Sequence, residues 1–468
     1  MSTWLQSMWT TLGFQPILLW SDLLIYALLL GGGVWCAFAF RREDWRVALR
    51  QVAANRTAML CFGILCCYGV IGFLDTLHYR PVSIETPNVG GIQSVLDALC
   101  QPLIERREKT YSAPFATHLF SKETILLADG RQAREYPRLQ HAGSHLPDLA
   151  TRDSDVTAKL LVGLAWGLIS GTPLFLIAWG IGKRFWLGIF LLLIAMIVAE
   201  AAVLSQWYHI LGTDKTGRDV FYIALKSVRT GLIIGTLTTL IVTPFAILCG
   251  VLAGYFGGWV DDVIQYVYST LDSIPEILLI AAAMLIFQVG LTEEETAISA
   301  DKRLVYLCVI MGITSWTGLC RLLRAEVLKL REVEYVQAAD AFGISRLRIM
   351  LRHLIPNVLH IVLISIVLRF SGLVLAEAVL AYVGIGVDPS MQSWGNMINQ
   401  ARLELAREPV VWWNLFAAFV FMLGLVLPAN LFGDALRDAL DPRTPDPPEI
   451  DKQPGVQRGT ESAKEVTA

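Results

Sequence analysis

The chain has 468 residues, of which 54% are hydrophobic and only 17% charged, and its mean hydropathy is +0.53. Soluble domains carry about a quarter charged residues, so this composition excludes an ordinary soluble globule and points to lipid as the solvent. A net charge of −3 excludes a strongly basic nucleic-acid binder, which would concentrate Lys and Arg on one face.

Nine stretches are apolar enough to cross about 30 Å of hydrocarbon as helices with every backbone group bonded internally. In chain order they are 17–40, 58–77, 158–181, 185–207, 230–253, 274–291, 304–320, 358–383 and 411–433. The first is read as a retained span rather than a leader, because residues 1–16 lack Lys and Arg and positive charge follows the apolar stretch instead. Residues 78–157 are polar, carry the basic run Arg106-Arg107-Glu108-Lys109 and are expected to form a small extracytoplasmic insertion. Residues 444–468, rich in Pro, Glu, Lys and Thr, bury too little apolar surface to offset chain entropy and are expected to be a disordered cytoplasmic tail.

Nine spans put the termini on opposite sides. With the N-terminus outside, the short inner segments carry nineteen Lys and Arg against eight on the short outer ones, the long 78–157 segment being left out of the count. The expectation is a multi-pass protein of a bacterial inner membrane, N-terminus outside and C-terminus cytoplasmic. Seven of the eight cysteines lie in or at the ends of these spans, which leaves no disulfide framework. Cys61, Cys66 and Cys67 share no span with a His and read as small apolar packing residues, so no metal site is expected.

No GxxxxGK[ST] phosphate loop, nucleophile elbow, HExxH helix or CxxC pair occurs. The chain is therefore expected to be no enzyme and to bind no cofactor; any ATP and Mg would sit on other subunits. Nor is there an internal repeat, the usual mark of a secondary transporter. The most informative stretch is the basic segment 335–357, YVQAADAFGISRLRIMLRHLIPN. Helix formers precede Gly343, and Leu347, Met350, Leu351 and Leu354 recur at helical spacing until Pro356, which predicts two short helices joined at the glycine and stopped at the proline. Ala338, Ala339 and Gly343 remove side-chain bulk where another surface could approach the backbone, with Arg346, Arg348 and Arg352 on the opposite side.

The pattern AA-x3-G-x9-HLIPN is similar to the EAA loop of binding-protein-dependent ABC importers, in the form used by oligopeptide and dipeptide permeases, with Gln337 where that family's shorthand has Glu. Four further stretches resemble the same family in the same order: GTDKTGRD (212–219), AGYFGGWVDD (253–262), AEAVLAYVGIGVDPSMQSWGNM (376–397) and RDALDPR (437–443). The third departs from the family at Ala381-Tyr382-Val383 and Asp388-Pro389.

The resemblance implies an all-α integral membrane protein with a type I ABC importer permease core of about six helices. The division it suggests is an extra N-terminal span and basic segment (1–57), a first core span (58–77), the insertion (78–157), two added spans (158–207), the core proper (208–443, coupling loop 325–357) and the tail (444–468). Within the loop, Tyr335, Val336, Gln337, Ala338, Ala339, Asp340, Gly343 and Pro356 would form the docking surface for an ATPase subunit. The other implied partners are a second permease chain, a second ATPase subunit and an extracytoplasmic binding protein. Relatives of this type carry dipeptides, longer peptides, nickel chelates, opines, sugars or peptide antibiotics, and the sequence does not choose among them.

In the outer motif, Gly212, Thr213, Asp214, Gly217, Arg218 and Asp219 suit either a helix cap with a tight turn or a gate. Buried charges are the remaining candidates. Arg369, within span eight, suits either the path or a subunit interface; Glu377 belongs to the same group; and Glu200, deep in an added span, suits an interhelical hydrogen bond. An ion-coupled secondary transporter would account for the spans and charges but not for the loop, and a non-transporting sensor would leave the loop unexplained too.

Overall fold

The computed structural model describes residues 14–39, 43–81, 92–126, 132–146, 151–182, 185–289 and 297–440. The expected tail 444–468 and the counted charges Arg41, Arg42, Lys183 and Arg184 lie outside them.

Among the described residues seven helices are long and apolar enough to cross a membrane. Arg56–Thr76 starts at Asn55, whose side chain accepts from the Thr57 and Ala58 amides, a standard N-cap. Arg152–Gly180 and Phe185–Leu204 form a hairpin, and Val220–Phe256, Ala300–Leu330, Arg346–Tyr382 and Trp413–Leu440 follow.

Two predicted spans come out differently. The 274–291 stretch is the second arm of a bent pair, Gly258–Asp272 and Glu276–Phe287, which turns by 85°. Pro275 lacks an N–H and disfavours helix in the residue before it, so the chain breaks at Ser273-Ile274. The 17–40 stretch becomes helix only from Trp20, running to Ala39. Its first turn is spent on polar contacts: Ser21 and Asp22 are fully buried, and Arg229 donates to the Asp22 carboxylate at 2.7 Å.

The Val220–Phe256 helix is the centre. It packs against Arg56–Thr76, Ala297–Thr314, Thr317–Leu330, Ile355–Tyr382 and Trp413–Leu440. Of its most apolar window 44% is buried, against 11% for Phe185–Leu204, so the added hairpin sits at the periphery, its two helices packed mainly on each other. Within the hairpin, Gly163, Gly167 and Gly171 face Glu200, Met196 and Leu192, and a Cβ on Gly167 would lie 2.6 Å from the Met196 Cα. Glycines at this spacing let two helices approach backbone to backbone in lipid, where dispersion contacts replace the hydrophobic effect as the attractive force.

Two small antiparallel sheets lie outside the spans. Phe14–Pro16 pairs with His78–Pro81, which pairs in turn with Gln93–Ser94; Glu123–Leu126 pairs with Gln132–Glu135. The first sheet joins the N-terminal segment to the insertion.

The glycine stripe makes a testable statement. Gly167→Leu should spread the hairpin without preventing membrane insertion, read as a longer distance between spin labels at Leu161 and Val198, both exposed. An unchanged distance would show that the stripe does not set the spacing.

Candidate functional site

At one end of the core, the helix Thr317–Leu330 is followed by the short helix Glu334–Ala341. Its C-terminus is closed by two bonds, Gly343 N–H to the Asp340 carbonyl at 2.9 Å and Ile344 N–H to the Ala339 carbonyl at 3.1 Å. This is the Schellman arrangement, which requires a left-handed residue after the helix, and Gly343 supplies it with φ +73°. The chain then enters Arg346–Ile349, widens into a π turn at Met350–Leu354 and continues without interruption as Ile355–Tyr382. Pro356 therefore does not stop the helix as predicted. It sits one position into the segment that follows the π turn, where the widened ladder accommodates a residue with no N–H to donate.

The direction of the side chains corrects a second expectation. Val336 and Ala339 are buried, packed in one cluster with Val251, Val327, Ile349, Met350 and Leu354. Ala339 is packed against its own chain. Tyr335, Gln337, Ala338 and Asp340 face outward, and the Tyr335 hydroxyl accepts from Asn357 at 2.7 Å. The outer face also holds apolar residues that sequence reasoning missed: Phe342 is 86% exposed, and Leu347 and Leu351 are exposed beside it. An aromatic residue directly before the turn glycine of a basic loop was the available signal.

The GYFGG stretch is part of the same unit. Gly257 and Gly258 take φ +62° and +52°, which reverses the chain into Gly258–Asp272. From there Asp261 accepts from Arg324 Nη2 at 2.6 Å, and Arg346 lies over the Phe256 ring at 5.7 Å. Loop, turn and helix ends are thereby held together by packing and one bidentate ion pair.

At the opposite end, GTDKTGRD forms a buried clasp. Asp219 caps the Val220–Phe256 helix, its Oδ1 accepting from the Phe221 and Tyr222 amides at 2.9 and 3.2 Å. Asp214 accepts from the Thr216 amide at 2.8 Å and the Arg218 amide at 2.9 Å. Thr213 accepts from the Ser112 amide at 2.7 Å and donates to the Thr110 carbonyl at 2.9 Å. Gly212 and Gly217 have φ +69° and +74°, and a Cβ on Gly217 would fall on the Glu108 carbonyl. The arrangement is that of a helix cap clasped by the insertion.

Behind the clasp, His209 is buried with Nδ1 2.7 Å from Asp219 and Nε2 3.8 Å from Glu108. Burial alone would lower the His209 pKa, but the two carboxylates overcome it and raise it to about 9. Burial pushes Glu108 the other way, yet His209 and the amides of Gln140, His141 and Ala142 hold it down at about 2.

The intramembrane charges are not gathered into one site. Arg369 donates to the Ser315 carbonyl, at the break between Ala297–Thr314 and Thr317–Leu330, and the Ser315 hydroxyl donates to Glu276. Glu377 is 3% exposed and lies against Gly395, whose Cβ would come 2.6 Å from Oε1; it is packed inside its own chain. Glu200 sits against Gly163 in the hairpin, with Oε2 buried and lacking a hydrogen-bond partner among the described residues. The hydrogen bond expected of that oxygen is absent.

The binding-protein-dependent transport system inner membrane component family matches residues 246–445, the stretch that holds the loop and the reversal before it. The oligopeptide transport system permease protein OppC of Haemophilus influenzae is 31% identical over 244 residues, 52% of this chain and 73% of that protein. OppC of Mycobacterium tuberculosis is 34% identical over 234 residues, 50% of this chain and 76% of that protein. The chain belongs to this family. The dipeptide transport system permease protein DppC of Bacillus subtilis is 30% identical over 235 residues, 50% of this chain and 69% of that protein. The protein is thus a multi-pass transport permease of the binding-protein-dependent class, and the shared half is its core.

Two outcomes follow. Ala339→Asp should lower stability by about 3–5 kcal/mol, because it buries an uncompensated charge, and it should do so in the purified chain alone; an unchanged melting temperature would contradict the inward orientation. For His209 the folded pKa lies above the ordinary 6.5, so its contribution is present in full below that value and is lost as pH rises through about 9. The contribution is on the order of 3 kcal/mol. Thermal stability should fall on going from neutral to about pH 10, and more steeply in the parent than in His209→Gln; equal slopes would discount the cluster.

Proposed function

We propose that this permease is one half of an ATP-driven importer for peptides or a related small solute, paired with a second permease chain. Two separate ATPase subunits bind and hydrolyse ATP with Mg, and an extracytoplasmic binding protein delivers the solute. The N-terminus and the insertion lie outside, and the coupling loop and C-terminus lie in the cytoplasm of a bacterial cell. Support for the cargo comes from the peptide permeases that the chain resembles.

The observation that carries the coupling reading is the loop's two-sidedness. Val336 and Ala339 anchor it in the core while Phe342, at the Gly343 turn, stands 86% clear of its own protein. Exposed aromatics beside small residues are what a partner's groove receives. A load on Phe342 passes through Gly343 into Arg346–Tyr382, and the helices above follow as a rigid body. Gln337, Ala338 and Asp340 line the same outward face, and Pro356 keeps the loop continuous with the span.

Arg369 and Glu276 belong to the same reading. A charge facing lipid is costly, so the exposed Glu276 side of the bent pair is assigned to the second permease chain or to the wet path between the two. The outer motif, clasped as it is, acts as a helix cap and a fixed point rather than as a moving gate.

Phe342→Asp should leave insertion and thermal stability unchanged while reducing ATP-dependent uptake roughly tenfold or more, and a cysteine at 342 should cross-link to the ATPase. Normal uptake by the Asp variant, or uptake insensitive to vanadate and abolished by a protonophore at constant ATP, would overturn the reading in favour of an ion-coupled transporter.

A further inference from the structure

A cavity of about 440 Å³ lies where the insertion meets the outer end of the core. Its walls come from the N-terminal segment (Leu19), the insertion (Ile104, Arg107), the central helix (Lys226, Arg229) and the start of Ala297–Thr314 (Asp301). The volume falls in the range of small-molecule sites, roughly 300–1,000 Å³. The core supplies one side of this wall, and the other side, from Leu19 to Arg107, belongs to segments that the match over residues 246–445 does not include.

The hydrogen-bonding balance of the wall is one-sided. Each carboxylate in it is already served from within the chain. Asp219 caps the central helix and meets His209, Asp75 accepts from Ser94 at 2.5 Å, and Asp301 accepts from the Ser21 amide at 3.1 Å and the Ser21 hydroxyl. The donors are not used up. Arg107 is exposed in the wall with no ionic partner among the described residues, and Arg229, 5% exposed, keeps its Nε buried without an acceptor. Arg218 holds one carboxylate, Asp214, and retains further N–H groups, whereas Lys226 is shared between Asp97 and, at 3.8 Å, Asp75. Among these donors sit Leu19, Ile92, Leu103 and Met391. A wall with spare cationic donors, satisfied carboxylates and an apolar floor is complementary to an acceptor-only anion carrying a short apolar body.

We propose that this chamber binds a small solute through a carboxylate, held by Arg107 with support from Lys226 and Arg229, its apolar part resting on Leu19, Leu103 and Ile104. The chamber sits beside the outer cap of the central helix, so an occupant there contacts the helix that runs through to the cytoplasmic loop. This rests on the transport reading for its purpose and on the cavity alone for its chemistry.

The test uses the intact chain in nanodiscs and needs no ATP, so its failure leaves the coupling assay standing. With labelling native cysteines replaced, Ile104→Cys is reacted with a membrane-impermeant maleimide. Trialanine should slow the reaction and trialanine amide, which lacks the carboxylate, should not; Arg107→Gln should raise the trialanine concentration needed roughly tenfold without changing the labelling rate in its absence. Equal labelling with and without trialanine would overturn the proposal. So would equal protection by the amide, or protection that appears only when phosphatidylglycerol replaces phosphatidylcholine in the disc, which would identify a lipid headgroup as the occupant.

Discussion

Everything in this protein is hung on one rod, the Val220–Phe256 helix. Hydrocarbon offers no partner to a bare N–H or C=O, so the chain crosses it as helix or not at all. At 1.5 Å per residue, 37 residues extend roughly 55 Å, well past the hydrocarbon thickness of about 30 Å. Both ends therefore project beyond the lipid, where they can be fastened. Asp219 fixes its N-terminal end through two amide bonds. Towards its C-terminal end Gly250 and Gly254 bring the backbone against Thr317–Leu330, where a Cβ on Gly254 would stand 2.9 Å from the Arg324 carbonyl.

The segments beyond the core attach to that rod by charge as well as by apolar packing, Tyr111 clustering with Val220 and Ile223 and Leu24 and Ile25 with Ile233 and Ile234. Asp22 reaches Arg229, Asp97 reaches Lys226, and Glu108 gathers the amides of 140–142 while its own amide bonds to the Gly217 carbonyl. These pairs form where the rod has left the lipid, the region in which ions can be partly hydrated and still find partners. The added hairpin is held differently: Phe190 packs over Gly63, Arg56 stacks on Trp186, and Tyr208 donates to Asp155 at 2.7 Å.

What the sequence made legible were features whose physics is local. Gly343, Gly257 and Gly217 announce left-handed turns because few other residues adopt them at low cost; a cap was expected of Thr213 and Asp214, and Asp219 supplies it instead. The polar insertion and most of the long helices were readable from composition, though nine spans were expected and seven of the described helices are long and apolar enough. The facing of the loop was not: in an eight-residue helix, Val336 and Ala339 could point toward core or partner with equal periodicity, and only the position of Val251 and Leu354 decides it. The bent pair escaped notice because hydropathy averages over Pro275. The sheet between Phe14–Pro16 and His78–Pro81 joins segments far apart in the chain, which no short window contains. Pro356 misled because helix-stopping rules assume an α ladder and take no account of a π turn next to it.

The two helix breaks explain why a charged cluster sits within the spans. Breaking the chain at Ser273–Pro275 and again at Ser315-Trp316 leaves carbonyls that no helical N–H can reach, and in lipid each would be expensive. The guanidinium of Arg369 meets one of them at Ser315, and the Ser315 hydroxyl donates to Glu276 at the head of the bent arm, so Ser315 links the two interruptions. That solution works only if the outer side of Glu276 is kept from hydrocarbon. The chain leaves that side open, which is the reason a permease built this way is expected to function as a pair.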